Sequence, residues 1–172
     1  MTVSAIRKSV VTKASPSRAF ELFTERMGEW FPPRCSRSPN PGGKIILEPF
    51  TNGRWFERDA HGAETDWGKV LIWAPPERLV LCWQIDKHDA FDAELHTEVE
   101  LIFRSDAAGG TVIELEHRNV ERFGKDAQRI KTVAAGWTCV LVQFGAFADA
   151  ETVLEKYPPA ECRSPIAHAF RN

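Results

Sequence analysis

Between Lys44 and Asn119 the chain is a nearly unbroken succession of β-forming runs, and after them comes one long helical stripe. The runs are KIILEPF, GRWFERD, TDWGKVLIW, LVLCWQID, TEVELIFRS and TVIELEHRN, each rich in β-branched or aromatic residues. Turn formers separate them: Asn52-Gly53, His61-Gly62, Pro75-Pro76 and Gly109-Gly110. Two runs alternate cleanly. Val99, Leu101 and Phe103 oppose Glu98, Glu100 and Arg104, and Ile113 and Leu115 oppose Glu114 and Glu116, so one sheet face is buried and the other solvated. From Asp126 to about Glu155 the period becomes helical, with Ile130, Val133, Trp137, Leu141, Phe144 and Ala148 on one stripe. A sheet with one apolar face and a single long helix to cover it must curl around that helix. The space between the two is where a cavity would form.

The N-terminal part completes the pattern. Thr2–Thr12, with Val3, Ile6, Val10 and Val11, reads as a first strand. Ser15 is an N-cap with Pro16 at the first helical position, and Phe20, Phe23 and Met27 follow at helical spacing. Gly28 is expected to split this segment into two short helices, before a Pro- and Gly-rich loop from Pro32 to Gly43. The expected architecture is an α+β helix-grip fold. A curved antiparallel sheet of about seven strands wraps a long C-terminal helix, with two short helices after the first strand. Residues 1–157 are expected as one domain, and 158–172, with Pro158, Pro159 and Pro165, as an irregular tail.

Composition narrows the function. The 172 residues include six Trp and eleven Phe against one Tyr, so the domain has either a very thick core or an aromatic-walled cavity. A net charge of -2 argues against nucleic acid and anionic membranes as partners. The N-terminus has no apolar signal region, and no run of about 18 consecutive apolar residues is present to span a membrane. Cys35, Cys82, Cys139 and Cys162 are scattered without a CxxC pair and are expected as reduced thiols, which makes a cytoplasmic location the expectation.

Several stretches resemble the START-like superfamily, also called SRPBCC or Bet v 1-like. They are Gly53-Arg54-Trp55-Phe56-Glu57-Arg58, Trp67-Gly68-Lys69-Val70-Leu71, Trp73 with Pro75-Pro76-Glu77-Arg78-Leu79, Trp83-Gln84-Ile85, Thr97-Glu98-Val99, Gly110-Thr111 with Glu114-Leu115-Glu116-His117-Arg118, and Gly136-Trp137. Within that superfamily the chain is most similar to bacterial homologues of the activator of heat-shock protein 90 ATPase, over about residues 3 to 155. The resemblance implies the helix-grip fold. It also implies either ligand binding in the cavity or a chaperone-linked role in stress response, stimulating a heat-shock protein 90 type ATPase. Some START-like proteins are cofactor-free cyclases, dehydratases or hydrolases.

By strand parity with Ile113 and Leu115, His117 points into the cavity, where it would bond a ligand or act as acid or base, or else simply bond a neighbouring side chain. Glu57 shares parity with Trp55. Beside an indole its carboxylate would have a raised pKa and anchor a polar group, unless Arg54 or Arg58 pairs with it. Trp83 and Trp137 are the expected pocket walls, with Trp55 on the sheet and Leu141 one turn further along the helix stripe. Gln84 has the parity opposite to Trp83, so both face inward only across a bulge. Asp86, His88, Asp89, Asp92, Glu94 and His96 match no zinc or calcium loop and read as a solvated turn, so no metal is expected. GxSxG, GxGxxG, P-loop and HExxH motifs are absent, and no cofactor is expected. The leading expectation is a protein that binds an apolar or aromatic small molecule or lipid. Outward-facing Leu71 and Trp73 are the candidate surface for a homodimer.

Overall fold

The computed structural model describes residues 4–40, 42–124 and 126–157. Seven strands follow in the expected order: β1 (Ile6–Thr12), β2 (Lys44–Leu47), β3 (Arg54–Arg58), β4 (Glu64–Ala74), β5 (Arg78–Trp83), β6 (Thr97–Ser105) and β7 (Thr111–Arg118). They form one antiparallel sheet in the spatial order β1-β7-β6-β5-β4-β3-β2. Consecutive strands from β2 to β7 are therefore neighbours, and β1 closes onto β7 in register, Ile6 opposite His117 and Val10 opposite Ile113. Helices α1 (Pro16–Glu25) and α2 (Met27–Trp30) follow β1, and α3 (Ala127–Lys156) lies across the concave face. Asp126 caps α3, its side chain accepting from the Arg129 amide at 2.9 Å, and Ser15 caps α1 in the same way. The helix-grip expectation holds, and the α3 boundaries match the periodicity to within a residue or two.

Two local expectations need correction. The break between α1 and α2 falls at Arg26, not at Gly28. Gly28 lies inside α2, where a Cβ would sit 3.1 Å from the Lys44 Cβ and 3.2 Å from the Ile45 carbonyl, so its smallness lets α2 approach β2. Trp73 does not face outward, because Leu71 is an extra residue between the pairs Val70–Leu81 and Ile72–Val80. That bulge reverses the parity beyond it and turns Trp73 onto Phe20, with ring centroids 5.1 Å apart. It leaves Trp73 no role as half of an exposed dimer face. Helix α3 is long and apolar enough to cross a membrane by length and composition alone, although its apolar stripe is laid on the sheet. The expected irregular tail, 158–172, lies outside the described residues.

Two aromatic clusters divide the core. Near α1 and α2, Phe23 packs on Trp30 (4.9 Å), Phe103 (5.8 Å) and Phe144 (5.0 Å), closing one end of the grip. Toward the other end, Trp55, Trp67, Trp83 and Trp137 succeed one another across sheet and helix. Each buried ring contributes on the order of 1.5–3 kcal/mol by leaving water, and edge-to-face pairing adds roughly 0.5–1.5 kcal/mol.

Candidate functional site

A second bulge builds the site. Trp55 pairs with Gly68 and Phe56 with Asp66, leaving Trp67 as the extra residue on β4. It brings Trp67 to the concave face, 5.5 Å from Trp55 and 6.4 Å from Trp83 between ring centroids. The adjoining backbone then runs so close to β5 that a Cβ on Gly68 would lie 1.8 Å from the Cys82 carbonyl oxygen, so only glycine fits. Trp83 and Trp137 meet across the gap between β5 and α3 at 5.3 Å.

Between these indoles, the first half of α3 and the segment from Phe31 to Arg37 lies a cavity of about 380 Å³. Such a volume falls within the roughly 300–1,000 Å³ typical of small-molecule sites. Trp67, Trp83, Trp137, Val133 and Val140 form its buried floor, and exposed Arg34, Asp89, Thr132 and Ala135 stand at its mouth. Gly136 faces open space, since a Cβ built there meets nothing within 4 Å. Cys35 and Cys139 also line the wall as free thiols, and burial pushes the Cys35 thiol above its ordinary pKa, so it is held protonated.

Of the sequence-predicted residues, Trp83 and Trp137 lie on the cavity wall, whereas Trp55, Glu57, His117 and Leu141 lie behind it. Glu57 is fully buried but pairs with neither Arg54 nor Arg58, which bind Glu64 and Asp66 instead. Its carboxylate accepts from the Ser36 hydroxyl and from the amides of Arg37 (2.8 Å) and Ser38 (3.2 Å). It thereby pins the loop that forms one lip of the cavity. Gln84 is buried together with Trp83 but on the opposite side, where its amide donates to the Ala93 carbonyl at 2.9 Å. The covering loop, rather than a bulge, accounts for both being buried.

His117 has no exposed surface. Its Nδ1 accepts from the Trp137 indole N–H at 3.0 Å, so the ring proton resides on Nε2. Nε2 donates to the Thr97 hydroxyl at 2.8 Å, which donates in turn to the Trp83 carbonyl at 3.0 Å. Burial, seconded by the positive charge of Arg129, lowers the His117 pKa from 6.5 to about 3. With both nitrogens committed, the ring is a neutral strut that fixes Trp137 against β5.

The rim holds residues that the sequence reading passed over. Arg129 and Arg37 both bind Asp89, at 2.9 and 2.8 Å, and Arg129 also donates to the Asp86 carbonyl at 2.7 Å. Arg129 falls on the same helical stripe as Val133 and Trp137, and a buried cation on an apolar stripe was the available signal. Arg37, in the Pro-rich loop, had none. The Asp86 carboxylate accepts from the amides of His88 and Ala90 and shapes the turn that presents Asp89. Among the described residues no cluster of His, Cys, Asp and Glu is placed to hold a metal ion.

The family model for Activator of Hsp90 ATPase homolog 1-like protein matches residues 13–149. No curated protein matches the chain. Among solved structures, Txn09, an anthrahydroquino-gamma-pyrone synthase, is 32% identical, with a TM-score of 0.58 over 84% of this chain and 97% of that one. CalC, a self-sacrificing resistance protein from Micromonospora echinospora, is 27% identical, with a TM-score of 0.63 over 86% and 95%. The Aha1 dimer from Colwellia psychrerythraea, 13% identical with a TM-score of 0.61 over 86% and 97%, shares the fold.

Proposed function

The chain belongs to the Activator of Hsp90 ATPase homolog 1-like family, and on that premise we propose that it binds a flat aromatic small molecule in the cavity between its sheet and α3. The observation that carries this reading is the open space before Gly136, floored by Trp67, Trp83 and Trp137. Large rings normally fill a core at close packing; here they wall a volume that side chains leave unfilled. The relationship to Txn09 supports the same reading, since that protein is named as an anthrahydroquino-gamma-pyrone synthase and was solved complexed with SUM. The free thiols fit a reducing, cytoplasmic setting, which we propose with it.

Native mass spectrometry of protein purified from its own cells tests the proposal. The expected result is an adduct of a few hundred daltons, released on denaturation, that Gly136→Leu abolishes while the protein stays folded. An adduct retained unchanged by Gly136→Leu would overturn the assignment of the cavity.

The 32% identity to a synthase favours a second reading, in which the same cavity folds a reactive chain into a ring system. Binding remains the better supported, because His117 is locked between Trp137 and Thr97, and the carboxylate on the rim, Asp89, is held by two arginines. The likeness to Aha1 at 13% identity carries the fold alone, so stimulation of a heat-shock protein 90 type ATPase is not transferred.

A further inference from the structure

We infer that the cavity selects an aromatic ligand bearing an anionic group, a carboxylate or an ionised acidic phenol, held at the rim by Arg34 and Arg37 with Arg129 behind them. The inference rests on the ligand-binding reading above and specifies its substrate class. Three guanidiniums and one carboxylate, Asp89, are the charged groups on the cavity wall, so the rim carries an excess of two positive charges. Two further carboxylates, Glu57 and Asp86, lie off the wall, and neither hydrogen-bonds a rim guanidinium. Glu57 is taken by the Ser36 hydroxyl and two backbone amides, and Asp86 by two backbone amides.

The arginines also have unused capacity. A guanidinium offers five N–H donors. Arg37 uses its side chain for Asp89 alone, and Arg129 for Asp89 and the Asp86 carbonyl. The Nε of each is buried without any partner. A buried donor without a partner costs free energy, and an arriving anion lets both side chains re-aim and complete their bonding. Asp89 is half exposed and shared by two arginines, so it is a placeholder that a ligand anion can displace. The charges stand at the mouth and the indoles on the floor, which orients the ligand with its ring system inward and its anion outward. A cation would meet the two excess charges, and a neutral ring would gain nothing from the rim.

Paired fluorescence titrations at low salt test this with 1-anilinonaphthalene-8-sulfonate and N-phenyl-1-naphthylamine, the same ring system with and without an anion. The wild-type protein should bind the sulfonate roughly tenfold or more tightly, the scale of one charge-assisted hydrogen bond. Arg34→Gln with Arg37→Gln should erase that preference and leave the neutral amine within about twofold, as expected for removal of charge at a rim. Arg129 is left intact because it ties α3 to the Asp86–Asp89 turn. Equal affinity of the two dyes for the wild type would overturn the anion inference, while amine binding lost in Gly136→Leu would leave the cavity reading standing. Failure of both dyes to bind, or binding indifferent to Gly136→Leu, would overturn the cavity reading and the inference together.

Discussion

The two halves of α3 carry one continuous apolar stripe and do opposite things with it. Toward the C-terminus the helix is clamped. Phe144 is buried against Phe23 and Trp30, Gly145 abuts Val10 of β1, and Asp149 accepts from the Thr12 hydroxyl and the Lys13 amide, both at 2.7 Å. Toward the N-terminus the helix stands off the sheet. It is held at points, by Trp137 on His117 and Arg129 on Asp89, with the cavity between. The cavity therefore arises where packing is replaced by polar struts. Polar struts fix a distance without filling it, whereas apolar packing closes any space it can.

The largest effect should come from breaking the clamp. Phe144→Ala removes a fully buried ring from a packed cluster and should cost roughly 3–5 kcal/mol in urea unfolding. Since the cluster does not line the cavity, the neutral naphthylamine should still bind wherever the variant remains folded. Loss of dye binding in step with loss of stability would mean that the two halves are one cooperative unit.

The struts make the cavity half the acid-sensitive one. With His117 at about 3 in the fold against an ordinary 6.5, the unfolded chain binds a proton that the folded chain excludes between those values. Stability should therefore be fully present above about pH 6.5 and fall by up to about 1.4 kcal/mol per pH unit below it. His117→Gln should be less stable at pH 7 yet lack this component of the slope, as urea midpoints at pH 5, 6 and 7 would show. An unchanged slope would assign the acid sensitivity to other groups.

How much of this was legible beforehand follows from the range of the forces. Strand alternation in β6 and β7 and the stripe of α3 are local, and they specified the grip and its covering helix. Trp83 and Trp137 were legible as walls because strand and helix must approach there. Leu71 and Trp67 as bulge residues were not, because a bulge is decided by how two strands pair rather than by either strand's own pattern. Glu57 shared parity with Trp55 as expected. What its carboxylate would meet depended on a loop that returns from about twenty residues earlier in the chain, beyond any local pattern.

The finest contrast lies in two glycines nine residues apart on α3. Each should cost the helix roughly 1 kcal/mol relative to alanine, so propensity alone predicts the same gain from Gly136→Ala and Gly145→Ala. Their surroundings split the outcome. At Gly136 a Cβ enters open space, so the substitution should add about 0.5–1 kcal/mol, with a matching rise of a few degrees in Tm. At Gly145 a Cβ would lie 2.9 Å from the Val10 Cγ2, on a stiff β-branched side chain held within β1. Overpacking of that kind costs about 1–3 kcal/mol, enough to reverse the propensity gain. Thermal melts of the two variants should therefore move in opposite directions. A shared rise would show that β1 yields to the helix as readily as the cavity does. A shared fall would mean that the space before Gly136 closes in solution.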